Sequence, residues 1–312
     1  MFSAGVYNPA MIKHIDFTRQ QFEGIEQCRR LFHGRGGAYE GQEHIVIDWL
    51  PPVALITLYK EESTAWVLSL AQALQKNLPE CRSVQVQYRC RPRAPIEVAL
   101  GEEINELIVD ECGLEFHIQL GRSQNIGLFL DMRNGRQWVR QAVAGKNVLN
   151  LFAYTCSFSV AALAGGAWQV VNVDLSKASL SRGRENHRLN SQDTSKVVFQ
   201  GGDIFKSFSR IRKQAPYDLL ICDPPAFQKG SVDVERDYKK ILRRVPELMI
   251  AGGQLMLCLN SHRLDEQFLH ALVAEYCLGF SFVEVVKPPE VFVDAVEGSG
   301  LKVLVFECKN LI

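Results

Sequence analysis

At 312 residues the chain is long enough for two domains, each with a core of its own. A content of 47% hydrophobic and 22% charged residues is ordinary for a globular protein in water, and no apolar run approaches the ~20 residues that span a bilayer. The formal net charge of zero divides unevenly, with 11 Lys+Arg against 16 Asp+Glu in residues 1–120 and 24 against 19 in residues 121–312. That balance does not announce a nucleic-acid binder, since a dominant phosphate-binding surface usually makes a domain clearly basic, and it leaves room for local basic patches. Residues 1–16 lack the basic-then-apolar layout of a secretory signal. The nine cysteines form no CxxC pair, so reduced thiols in a cytoplasmic protein, with no metal site, are expected.

Residues 1–114 read as a small α+β domain. Asp16 or Thr18 can start a short helix through Arg30, broken by the glycine-rich stretch 34–41. Ile45–Leu50 and Val53–Tyr59 are predicted strands on either side of Pro51-Pro52. Ser63 or Thr64 can cap a helix in which Trp66, Leu70, Leu74 and Leu78 share one face. Val84, Val86 and Tyr88 alternate with Gln85 and Gln87, the pattern of a half-buried strand. Glu115–Leu120 and Gly127–Asp131 are expected to form a hairpin leading into a second domain, residues 115–312.

From Lys146 onward strand-like and helix-like segments alternate, which predicts a parallel sheet with crossover helices. The predicted strands are Asn147–Phe152, Gln169–Asp174, Lys196–Gln200, Asp218–Asp223, Gln254–Leu259, Ser281–Val286 and Leu301–Cys308. Between them fall the predicted helices Ser157–Ala164, Ser176–Asn190, Ile204–Gln214, Asp233–Ile250 and Asp265–Cys277. The last two strands lack a helix between them, which points to an antiparallel closing hairpin with a long link, Lys287–Gly300. The fold class is therefore α/β, a Rossmann-like seven-stranded sheet with its last strand antiparallel, plus the smaller N-terminal domain.

The chemistry concentrates where these strands end. Leu219–Cys222 is an apolar run that stops in Asp223-Pro224-Pro225-Ala226-Phe227. Neither proline carries an amide donor, and Pro224 keeps Asp223 out of helical geometry. One carboxylate is thus set at the carboxyl end of a central strand, where open α/β sheets bind ligands. Phe227 and stiffened carbonyls behind it suit a flat, hydrogen-bonding ring such as a nucleobase. The first strand of the second domain leaves through Asn150, Phe152 and Tyr154 without the Gly-x-Gly-x-x-Gly turn of a dinucleotide site. The next strand ends at Asp174-Leu175, placed to accept a ribose diol, and the third near Asp203-Ile204, an acid and an apolar side chain suited to an adenine. A nucleoside without phosphates fits these positions, and S-adenosylmethionine, with its sulfonium, is the cofactor expected.

Residues 147–159, Asp174, Gly202-Asp203 and residues 223–227 together resemble the motifs of class I S-adenosylmethionine-dependent methyltransferases. More narrowly, Gly127-Leu128-Phe129-Leu130-Asp131-Met132-Arg133, Val148–Thr155 and residues 223–227 resemble the bacterial large-subunit ribosomal RNA methyltransferases. These include 5-methylcytosine enzymes with an N-terminal PUA domain and, in closer resemblance, the guanine-N7 half of a bifunctional enzyme. The resemblance implies cofactor contacts from Asn150, Phe152, Asp174, Asp203 and Asp223, and a wall over the methionine end from Asp131 and Arg133. Two departures stand out. Cys156 occupies a position usually held by glycine, which puts cofactor affinity in question. No PUA module is legible before the N-terminal domain, so RNA contacts are expected from elsewhere.

Methyl transfer from a sulfonium needs alignment at ~3–3.5 Å more than acid-base help. Asp223 and the carbonyls of Pro224 or Pro225 are expected to orient the acceptor base, and Phe227 to stack on it, worth roughly 1–3 kcal/mol. Cytosine C5 would additionally require a thiolate. The matching position in the related cytosine enzymes is Asn260 here, with Cys258 two residues earlier, so a ring nitrogen oriented by Asn260 fits the residues better. Arg89, Arg91 and Arg93 beside Tyr88 form a candidate RNA patch. Lys206, Arg210 and Lys213, with Lys239, Lys240, Arg243 and Arg244, read more simply as solvated helix faces. The leading expectation is an RNA methyltransferase acting on ribosomal RNA. Alternatives are a protein or small-molecule methyltransferase, and a non-catalytic RNA- or ribosome-binding paralogue permitted by Cys156. The sequence leaves the oligomeric state open, a homodimer included.

Overall fold

The computed structural model describes residues 26–225, 227–228 and 232–310, without the side chains of Phe227, Gln228 and Val232. The described residues form two compact units, 26–131 with 290–296, and 132–289 with 297–310. Residues 115–131 cluster with the first unit, and so does part of the long link between the last two strands, residues 290–296.

The first unit is a five-stranded sheet in the order β1-β2-β3-β4-β5, made of Arg29–His33, Ile45–Leu50, Val53–Leu58, Ser83–Tyr88 and Ile96–Gly101. Helix α1, Thr64–Asn77, is capped by Ser63, whose hydroxyl accepts from the amide of Trp66 at 3.2 Å. Its Val67, Leu70, Ala71 and Leu74 pack on Ile47, Trp49, Ile56 and Val84. Three expectations change here. Most of the predicted 16–30 helix lies outside the described residues, but Arg29 and Arg30 are strand, held by pairing with Trp49 and Asp48 and by the Arg30–Asp48 ion pair. Strand β4 is buried on both faces, because Ser83, Gln85 and Gln87 hydrogen-bond to the carbonyls of Glu102, Ile104 and Gln124. Finally, β7, Leu114–Gln119, pairs with the upstream strand β6, Glu106–Glu111, through a tight turn at Cys112-Gly113, rather than with 127–131.

The larger sheet, in the second unit, is built from β8 (Asn147–Leu151), β9 (Gln169–Asp174), β10 (Val197–Gly201), β11 (Tyr217–Cys222), β14 (Met249–Asn260), β15 (Phe280–Val285) and β16 (Leu301–Cys308). These seven strands lie in the order β10-β9-β8-β11-β14-β16-β15. Short strands β12, Phe227–Gln228, and β13, Val232–Asp233, pair outside it. Pairing is parallel from β10 through β14, and only β16, inserted between β14 and β15, runs antiparallel. Helix α2 (Arg133–Ala142) leads into β8, while α3 (Ser157–Ala164) crosses from β8 to β9 and α4 (Lys177–Leu189) from β9 to β10. Helices α5 (Phe208–Arg212), α6 (Val234–Leu242) and α7 (Glu266–Tyr276) follow β10, β11 and β14. Alternate residues of the central strands enter two different cores: Leu149, Leu220 and Leu255 pack with α6 and α7, whereas Val148, Leu219 and Met256 pack with α2 and α3. Burial on both faces is why these strands read as continuous apolar runs. The helix predicted over 233–250 ends at Leu242, because the ring of Pro246 would meet the carbonyl four residues back.

Candidate active site

Parallel neighbours in a sheet end at the same rim, so β10, β9, β8 and β11 bring their exit loops together. Asp174 is the last residue of β9, Asp203 follows β10, and Asp223 follows β11. All three are half-buried. Leu175, about half exposed, borders Asp174 on the solvent side.

Asp174 organises the rim. Its two carboxylate oxygens accept from the amides of Tyr154 at 2.8 Å and Ser176 at 2.7 Å, and each oxygen keeps a second lone pair for a diol. Burial pushes its carboxyl above the usual carboxylate range, and the amides of Ser176 and Tyr154 pull it part of the way back. Asp203 caps the short turn that follows it, accepting from the amide of Phe205 at 2.8 Å. Ile204, expected against an adenine, is buried in the core instead.

The exit loop of β8 is a tight coil. Phe152, Tyr154 and Cys156 all take left-handed backbone conformations, with φ of 58°, 47° and 62°. Each such non-glycine residue costs on the order of 1 kcal/mol, and strain of this type gathers at ligand-binding loops. No side-chain hydrogen bond caps α3, which leaves its first amides facing the loop. The departure at Cys156 has a steric answer. Its side chain is completely buried against Ala153 and Leu180, and its partner position on α4 is Gly183. A Cβ on Gly183 would overlap the Cys156 Sγ outright and stand 2.8 Å from its Cβ. The thiol therefore fills a notch cut by a glycine, and the loop surface stays backbone. Burial pushes this thiol far up, so it is inert.

Asn150 is 1% exposed and points into the α3 side of the sheet, where a buried polar chain begins. Asn150 donates to Asn172 at 2.9 Å, Asn172 to the Ser159 hydroxyl at 2.9 Å, and Ser159 lies 2.9 Å from His187 Nε2. His187 Nδ1 meets Gln192 Oε1 at 2.6 Å, and Gln192 donates to the Val160 carbonyl at 2.8 Å. Because Gln192 presents an acceptor, the proton belongs on Nδ1, and Ser159 donates to Nε2. Burial lowers the His187 pKa to about 4, so the ring is neutral. Residues expected for the cofactor are thus of two types: Asp174, Asp203 and Asp223 line the rim, while Asn150 braces the layer beneath. Asn172, Ser159 and His187 were missed by sequence reasoning; the one signal was a polar residue inside the apolar run 169–174.

On the acceptor side, Asp223 and Pro225 stand just beyond Cys222, and Asn260 is exposed at the end of the adjacent strand β14. Phe227 pairs through its backbone with Asp233, and its side chain lies outside the described residues. Cys258, two residues before Asn260, is fully buried in the core. Asp131 closes the first unit and Arg133 opens α2 in the second. The basic group of the first unit is largely engaged at home. Arg91 pairs with Glu61 at 2.7 Å and Glu97 at 2.6 Å and stacks 3.5 Å over Tyr88, and Arg89 donates to the Gln124 carbonyl at 2.9 Å.

A sheet of this order, one reversed strand next to its edge and acids after successive parallel strands, is the class I methyltransferase architecture. Sequence comparison agrees: a profile of the S-adenosylmethionine-dependent methyltransferases matches residues 29–307, and the chain belongs to that family. It is similar to the ribosomal RNA large subunit methyltransferase I of Erwinia tasmaniensis, at 32% identity over 261 residues, covering 78% of this chain and 66% of that protein. The chain thus spans a little under two-thirds of that relative's length. Among solved structures, a methyltransferase complexed with SAH superposes with a TM-score of 0.84 at 23% identity, over 98% of this chain and 83% of the other. A methyltransferase from Streptococcus mutans gives 0.83 at 24% identity with the same coverage. At those identities the structural likeness is one of fold. No helix of the described residues is long and apolar enough to cross a membrane.

Proposed function

We propose that this chain transfers a methyl group from S-adenosylmethionine to a base in RNA, most specifically ribosomal RNA of the large subunit, by direct in-line displacement. The observation that carries the reading is the single rim bearing Asp174, Asp203 and Asp223 after three parallel strands beside a strained, backbone-faced loop. When bound, the cofactor supplies an electrophilic methyl on a sulfonium. Asp174 holds the ribose hydroxyls through its remaining lone pairs, Leu175 covers a ring face, and Asp203 faces the adenine edge. Phe152 and Tyr154 shape the loop, and Arg133 at the start of α2 would wall the methionine end. Asp223, the Pro224 and Pro225 carbonyls and Asn260 orient the acceptor base, with Phe227 stacking on it. The large-subunit substrate rests on the name of the relatives. The acceptor atom rests on Cys258, whose burial in the core withholds the thiolate that carbon methylation of cytosine demands. A ring nitrogen is the favoured target.

The test is transfer of labelled methyl from the cofactor to RNA of a strain lacking this gene. Deficient RNA should accept label and wild-type RNA should not, and Asp223→Ala should abolish transfer while keeping the thermal midpoint. Label entering protein or small molecules, with none in either RNA, would refute the RNA reading.

A further inference from the structure

The ladder of the central sheet stops where the acceptor site begins. Beyond Cys222 come Asp223, Pro224 and Pro225, and the prolines have no amide to offer a neighbouring strand. Something other than strand pairing must hold that turn against the end of β14, which carries Asn260. Tyr238, on the second turn of α6, is placed to do so. Its ring is buried, 1% exposed, and meets Phe268 of α7 edge to face at 6.4 Å. Its hydroxyl lies 3.2 Å from the Cys222 carbonyl and 3.1 Å from the Cys258 carbonyl. These two carbonyls belong to adjacent parallel strands, one residue before Asp223 and two before Asn260. A phenol has one proton, so it is shared between both acceptors, and shortening one contact lengthens the other.

We propose that Tyr238 is a positioning residue for methyl transfer, its hydroxyl clasping the ends of β11 and β14 so that Asp223 and Asn260 meet the acceptor base in register. The inference rests on the function proposed above and adds to it a residue that touches neither cofactor nor substrate. The clasp acts on peptide planes: the Cys222 carbonyl and the Asp223 amide share one plane, so fixing the first fixes the second. Alignment is where this reaction is sensitive, since misplacement by about 1 Å can cost ~100-fold.

The experiment compares Tyr238→Phe, which removes only the hydroxyl, with Tyr238→Leu, which also removes the ring. Both variants of the full chain should lose roughly 10- to 100-fold in kcat for methyl transfer to the deficient RNA. Their Kd for S-adenosylmethionine should stay within about twofold of wild type, and Tyr238→Leu alone should lose substantial thermal stability. A purely structural role predicts the reverse, kcat falling in step with the melting temperature, and that outcome would overturn the proposal. Hydrogen exchange gives a readout independent of substrate: Tyr238→Phe should speed exchange in peptides spanning 219–225 and 255–262 and leave β9 and β10 unchanged. Unchanged protection there sinks the clasp even if RNA methylation holds. Faster exchange with no transfer by the wild-type protein sinks the proposed function instead.

Discussion

Substituting Gly183 by alanine puts a methyl group where Cys156 already is. The new Cβ would stand 2.8 Å from the Cys156 Cβ, overlap its Sγ, and lie 3.2 Å from the Thr155 carbonyl. Ordinary carbon contacts sit at about 3.5–4.0 Å, so the shortfall is roughly 1 Å in a site with no exposure. Overpacking a tight core costs about 1–3 kcal/mol, and this overlap belongs at the upper end. The strain has an obvious outlet. Helix α4 is held by the buried side chains of Leu180, Asn186 and His187, whereas the 152–156 loop already holds three residues at positive φ, so the loop yields first. If ~3 kcal/mol is then needed to restore the binding conformation, cofactor affinity falls by roughly two orders of magnitude. Titration calorimetry with S-adenosylmethionine, alongside thermal unfolding, measures both. Cys156→Gly removes the Sγ and Cβ together, so the Cys156→Gly/Gly183→Ala pair should regain most of the affinity. Cys156→Ala/Gly183→Ala, which keeps the 2.8 Å overlap, should regain little. Additive effects in Cys156→Gly/Gly183→Ala, or normal affinity in Gly183→Ala, would refute the notch and with it the account of why cysteine is tolerated in this loop.

Other outcomes follow from the same geometry. Asp174→Ala strands the Tyr154 and Ser176 amides and removes the ribose acceptor, so cofactor affinity should drop at least ~100-fold by calorimetry, from two hydrogen bonds to a charged group worth about 1.5–3 kcal/mol each. His187 is neutral when folded, with a pKa lowered to about 4 by burial, whereas the unfolded chain protonates near 6.5. Its contribution is therefore complete above pH ~6.5 and is lost as pH falls toward 4, by up to ~3 kcal/mol. Urea unfolding at pH 7 and pH 5 should show His187→Gln with a shallower pH dependence than wild type; equal slopes would contradict the neutral ring. Arg91→Ala should shift the thermal midpoint only slightly, because its ion pairs are solvent-exposed and screened, and leave RNA binding unchanged within about twofold in a filter assay. A large loss of RNA affinity would return this arginine to the substrate surface.

Much of the second unit is legible in the amino-acid sequence alone. Gln169–Asp174, Leu301–Cys308 and Ser157–Ala164 fall where the apolar pattern predicts them, because strands buried on both faces must be apolar throughout and stop at turn residues. Once the order of parallel strands follows, the acids after β9, β10 and β11 are bound to share a rim, which is why Asp174, Asp203 and Asp223 could be named from the chain alone. Contacts between residues far apart in sequence are decided by the tertiary structure. Nothing local says that β7 pairs upstream, that Gln85 and Gln87 find carbonyls to satisfy them, or that Arg91 spends its charge on Glu61 and Glu97. The same holds for the thiol that fits Gly183 and for the phenol that joins two strand ends, since sequence periodicity reports which face a residue occupies and only the packed elements settle which atoms it meets there.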